Sequence, residues 1–106
     1  MNRITAIGRL AQNAELVDLN DEDKMIVFHL VDYGLPNKKT SPMILEVHFL
    51  KRIGRSIYPD LQKGKEVVIA GFLDEKRYMD SMGEVHFKKY VNADIVQFTG
   101  KREEAV

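Results

Sequence analysis

Apolar and polar residues alternate through most of the chain, and the alternation reads as strand. Within KMIVFHLVDY, residues 24–33, it sets Ile26, Phe28 and Leu30 on one face and Val27, His29, Val31 and Tyr33 on the other. MILEVHFLK, residues 43–51, divides the same way, with Leu45, Val47 and Phe49 opposite Ile44, Glu46, His48 and Leu50. The face carrying Glu46 and His48 is expected to point outward. NRITAIGRL, residues 2–10, mixes β-formers with a glycine that marks a bulge or a close backbone approach. KGKEVVIAGFL, residues 63–73, reads as a turn and a strand, and YVNADIVQF, residues 90–98, as the last strand. Two segments break the pattern. GLPNKKTSP, residues 34–42, is a loop by composition. In IGRSIYPDLQ, residues 53–62, Ile53, Ile57 and Leu61 recur at the spacing of one helix face, while Pro59 restricts that helix to a short or irregular one.

The predicted order is therefore three strands, a short helix and two more strands. That is the layout of an all-β OB-fold, a five-stranded Greek-key barrel with a short helix between strands 3 and 4. A generic mixed β-domain fits the same pattern.

KRYMDSMGEVHFKKY, residues 76–90, places two basic pairs and three rings around one turn. With a loop of Asp80 to Gly83, the preferred register, Tyr78 lies opposite Val85, and Tyr78, Lys76, Phe87 and Lys89 share a face. A loop shorter by one residue moves Phe87 to the face of Arg77, because a single-residue slip inverts the pattern.

Composition narrows the function. A chain of 106 residues with 44% apolar and 30% charged residues is one ordinary globular domain. Sixteen basic and sixteen acidic residues cancel, which counts against a nucleic-acid partner, whose binders are usually basic. The distribution softens that objection. Residues 15–23 hold five acids and no base, whereas residues 38–65 hold seven bases against Glu46 and Asp60. Separated charge can give a neutral molecule one positive face.

The chain has no cysteine, which removes disulfide and thiolate chemistry and fits a reducing cytoplasm. It shows neither the apolar core of a signal peptide nor a run long enough to span a bilayer, so a cytoplasmic, nucleoid-associated location without membrane partners is expected. His29, His48 and His86 lack metal-ligand spacing, so no metal is assigned. With no phosphate loop, cysteine nucleophile or Ser-His-Asp arrangement, the chain is not expected to be an enzyme, and neither a cofactor nor a small-molecule substrate is expected. The acids Asp21, Glu22 and Asp23 read as a solvated loop.

Five fragments in order carry a family resemblance: NRITAIGRLAQNAEL, VFHL, KGKEVVIAGFL, YMDSMGE and ADIVQF, spanning residues 2–98. Together they resemble the bacterial single-stranded DNA-binding proteins. The resemblance implies residues 1–100 as an OB-fold single-stranded DNA-binding domain, with 101–106 a short polar tail. It also implies a homo-oligomer, a tetramer with a dimer as the alternative, whose opening strands pair between subunits. The implied activity is sequence-independent binding and protection of single-stranded DNA in replication, recombination or repair. In such proteins basic side chains follow phosphates and rings stack on bases, at about 1–3 kcal/mol per base.

Carried over residue by residue, the resemblance implies Tyr78 and Phe87 as stacking rings, with Lys76 and Arg77 before the first and Lys89 after the second. Arg3, Arg52 and Lys63 match basic positions elsewhere, and Lys38 and Lys39 lie in a loop able to close over a strand. The chain also departs from the family pattern. Ile44 and Leu50, flanking His48 on the outward face of the third strand, stand where the family usually presents aromatics, and the loop aromatic falls near Pro36. Glu46 on that face is expected to repel phosphate, which predicts a weaker and more salt-sensitive binder. Family members carry a flexible segment and an acidic tip after the barrel. Here the sequence runs only to GKREEAV, reading as a short, tail-less member or as the barrel alone. The competing reading is an OB-fold protein-interaction module of primosome, phage or plasmid type, with weak or no DNA binding.

Overall fold

The computed structural model describes residues 1–20, 23–32, 34, 42–50, 52 and 55–100. The strands are β1 (Ile4–Leu10), β2 (Glu15–Asp18), β3 (Lys24–Asp32), β4 (Met43–Leu50), β5 (Glu66–Met79) and β6 (Val85–Phe98). The alternation read from sequence sets the core. Ile26, Phe28 and Leu30 of β3 and Leu45, Val47 and Phe49 of β4 are buried against Leu10, Val67, Ile69, Val91 and Val96. Each such side chain removed from water contributes about 1.5–3 kcal/mol, which is why one face of each strand is committed inward.

The sheet order is β1-β5-β6-β4-β3-β2, and β1 pairs with β3 as well as β5. The pairings of β1, β5, β6, β4 and β3 thus return to their starting strand, leaving β2 outside that ring. The handover occurs at Arg9, opposite Glu66 of β5 on one side and Val31 of β3 on the other. Gly8 precedes it because there is no room for a side chain. A Cβ there would overlap the Val31 carbonyl oxygen. A second glycine, Gly71, sits at a bulge where Ala70 opposes Ile95 and Gly71 opposes Ala93, leaving Asp94 without an opposing residue. The bulge shifts the phase of β6, so Val96 turns inward and Ile95 stays exposed.

Two expectations are corrected. Six strands form rather than five, because Glu15–Asp18 in the acidic stretch pairs antiparallel with β3. Half-buried Leu16 is its only inward anchor, too little for an alternation to register. The segment expected to be a short or irregular helix holds a 3-10 turn, Tyr58–Asp60. Pro59 lacks the amide a longer helix would need, so Ile57, Tyr58 and buried Leu61 dock on the core from a single turn. Ile53 lies outside the described residues. No helix among the described residues is long and apolar enough to cross a membrane.

Candidate nucleic-acid interface

The far ends of β5 and β6 form a hairpin whose register is set by its turn. The Asp80 amide donates to the Glu84 carbonyl at 2.9 Å, and the Gly83 amide to the Asp80 carbonyl at 3.1 Å. Asp80 Oδ1 accepts from the amides of Met82 and Glu84, both at 2.9 Å. Gly83 has φ 81°, the left-handed residue that closes a three-residue hairpin loop. The loop is therefore Ser81–Gly83, one residue shorter than the preferred sequence reading. Tyr78 opposes His86, Lys76 opposes Lys88 and Arg77 opposes Phe87. The correction follows from Asp80, which closes the turn and joins the ladder instead of belonging to the loop.

This register builds one outward face. Near the tip, Tyr78 and His86 stack with centroids 5.3 Å apart and planes 24° apart. His86 Nε2 donates to Asp80 Oδ2 at 2.6 Å. Lys76 and Lys88 follow. Next comes Tyr90, stacked on His48 at 4.2 Å and 23°. His48 comes from β4, brought alongside by the parallel pairing of β4 with β6, in which His48 opposes Asn92. The Tyr90 hydroxyl and the Asn92 amide both donate to Asp74 Oδ2, at 3.4 and 3.0 Å. Two Tyr–His stacks thus lie on one face with the Lys76–Lys88 pair between them. Four residues separate Tyr90 from His86, about 13 Å along a strand.

Glu46 organises the inner stack. Its position on the outward side of β4 is as expected, yet its side chain is only 8% exposed. Lys88 Nζ lies 2.7 Å from Oε1, His48 Nε2 donates to Oε2 at 2.7 Å, and His29 Nε2 is 3.4 Å from Oε1. Burial works to raise the Glu46 pKa, but the hydrogen bonds and charges of Lys88 and His48 prevail and hold it at about 2. The carboxylate on the outward side of β4 is thus covered by a lysine and a histidine rather than left exposed.

The remaining candidates are distributed around the fold. Ile44 is exposed beside this face, and Leu50 is half-buried at the other end of β4. Arg77, Phe87 and Lys89 occupy the reverse face of the hairpin, where Phe87 is 63% exposed and Lys89 lies 3.6 Å from Glu75. Arg3 makes a bidentate pair with Asp94, both bonds 2.9 Å, and lies over the Phe72 ring. The Arg3 hydrogen bond holds the Asp94 carboxyl below its ordinary range. Arg52 is exposed just beyond β4. Lys63 sits before β5, at the opposite end from the hairpin tip, where its amide donates to Asn13 at 2.8 Å. Tyr33, Pro36, Lys38 and Lys39 lie outside the described residues.

Sequence reasoning missed His86, Lys88, Tyr90 and His29 as members of the face. The first three alternate along one strand, a signal that could have grouped them. What tied them to Tyr78 was the register. Asp80, Glu84 and His86 bring ligand atoms within 4.8 Å of one another. Asp80 spends both oxygens within the turn, so the trio is read as the clasp of the hairpin.

A family model described as the single-strand binding protein family matches residues 1–99. No curated protein matches the chain.

Proposed function

The chain belongs to the single-strand binding protein family, and on that premise we propose that it binds single-stranded DNA without regard to sequence along the outward hairpin face. Bases stack on the Tyr78–His86 and Tyr90–His48 pairs while Lys76 and Lys88 meet the phosphates between them. Every base has a π face, so such platforms are tolerant of sequence. The observation carrying this reading is the pairing of Tyr78 with His86 and of Lys76 with Lys88, which aligns rings and charge on one side of the hairpin. Phe87, Arg77 and Lys89 offer a further ring and two cations on the reverse side, available to a strand that wraps the hairpin. Arg3, Arg52, Lys63, Ile44 and Leu50 are retained as secondary contacts.

The strand ring supports the OB barrel, with β2 as an appendage. An oligomer, tetramer or dimer, is supported by β1. Among the described residues, Ile4–Ile7 have a partner strand on one side only, and exposed Ile7, Phe72 and Ile95 lie on the outward side of β1, β5 and β6. The activity proposed is binding and protection in DNA replication, recombination or repair, without catalysis, in the cytoplasm with the DNA. Of the three residues that favour a protein-interaction module, Ile44, Leu50 and Glu46, the last is covered by Lys88 and His48. A gel shift with labelled single-stranded DNA, double-stranded DNA and RNA oligomers tests the reading. A preference for single-stranded DNA is expected, and no shift with any oligomer would overturn it.

A further inference from the structure

The chain has three histidines, and all three lie on the proposed binding face. His29 comes from β3, His48 from β4 and His86 from β6, and each has a carboxylate beside it: Glu46 for the first two and Asp80 for the third. Register places the other charges of the face among the described residues. Lys76 and Lys88 are the cations of the hairpin, and farther along the same side Arg9, opposite Val31 on β1, and Arg3, over Phe72, are paired with Glu66 and Asp94. The other anions of the face are Glu46 on β4, Asp74 on β5, Asp80 and Glu84 at the turn, and Glu15, which opposes Val27 on β2. Among the described residues of this face acids therefore outnumber lysines, and each arginine is matched by its own carboxylate. Histidine is the side chain whose charge changes between pH 5 and 8.

We propose that protonation of His29, His48 and His86 gates single-strand binding, so that the face takes up protons as DNA binds and holds it more tightly as pH falls. The inference rests on the single-strand reading above. Stacking on Tyr90 and Tyr78 keeps His48 and His86 in the plane where bases arrive. Phosphates add a further negative partner, so bound DNA raises the proton affinity of the histidines. By linkage, acid then raises the affinity for DNA.

The test titrates the full chain into oligo-dT carrying a pH-insensitive fluorophore, by anisotropy, at pH 6, 7 and 8 over a salt series. Affinity is expected to rise on the order of tenfold for each histidine whose proton affinity DNA shifts by one pH unit. The dependence of log K on log salt is expected to steepen toward pH 6 by about 0.7 per histidine engaged, as counterion release requires for single strands. The His29→Gln, His48→Gln, His86→Gln triple variant is expected to lose the pH response, whatever its absolute affinity. A flat wild-type profile, or a response that survives in the triple variant, overturns the inference. Should that variant fail to fold, NMR titration of the wild-type imidazoles with and without oligo-dT decides. Midpoints that rise on binding support the inference, and unchanged midpoints overturn it. Binding absent at every pH overturns the single-strand reading as well, whereas pH-independent binding overturns this inference alone.

Discussion

Replacing Glu46 with glutamine keeps the shape of the side chain and removes the charge that Lys88 and His48 approach at 2.7 Å. Hydrogen bonds to charged groups contribute about 1.5–3 kcal/mol each when buried. Here the Lys88 side chain is 45% exposed and water can take it back, which favours the low end. A loss of about 2 kcal/mol at neutral pH is expected for Glu46→Gln, or roughly 10 °C in Tm for a domain of this size. The pKa gives a ceiling. Lowering the carboxyl from 4.5 to about 2 corresponds to about 3 kcal/mol of stability. Because the folded value lies below the unfolded one, this contribution is complete above about pH 4.5 and disappears as pH falls through about 2. Urea unfolding followed by circular dichroism at pH 7, 4 and 2, at one protein concentration, measures it. The gap between wild type and variant should be widest at pH 7 and close toward pH 2. Acids elsewhere titrate in both proteins and cancel in the difference. Equal stabilities at pH 7, or a gap undiminished at pH 2, would refute the reasoning.

Two glycine substitutions separate backbone crowding from backbone conformation. Gly8→Ala drives a methyl into the Val31 carbonyl at the point where β1 passes from β5 to β3, and is expected to cost about 3 kcal/mol or more in urea unfolding. Gly83→Ala meets nothing within 4 Å but must hold φ near 81°, so about 1–2 kcal/mol is expected, with the hairpin amides exchanging faster with solvent. A Gly8→Ala protein as stable as wild type would contradict the close approach, and unchanged hairpin exchange in Gly83→Ala would contradict the turn.

The parts of the fold legible in sequence were those where burial enforces a period of two. Ile26, Phe28, Leu30, Leu45, Val47 and Phe49 were readable because a strand with one buried face tolerates no slip. The hairpin beyond the core has exposed residues on both sides, so hydrophobic pattern could not choose its register. Two Asp80 hydrogen bonds and one positive φ chose it instead. Strand β2 was hidden because Leu16 alone turns inward, and the helical spacing of Ile57 and Leu61 yielded to Pro59. The face of Glu46 was legible but its burial was not. That burial comes from Lys88, on a strand distant in sequence and brought near only by the parallel pairing of β4 with β6. His48 was read on the outward side of its strand and Lys76 with Tyr78 on a common face of the hairpin, as the register has them, while Phe87 and Lys89, read on that same hairpin face, belong to the other side.

Photocrosslinking to an oligo-dT bearing 5-iododeoxyuridine, with the attached residues identified by mass spectrometry, tests most directly whether bases lie on the two Tyr–His stacks. Adducts are expected at Tyr78 and Tyr90, with His48 and His86 as their neighbours, irrespective of where the iodinated base stands in the oligomer. Adducts confined to Phe87 on the reverse face, or to the region around Lys63, would contradict it.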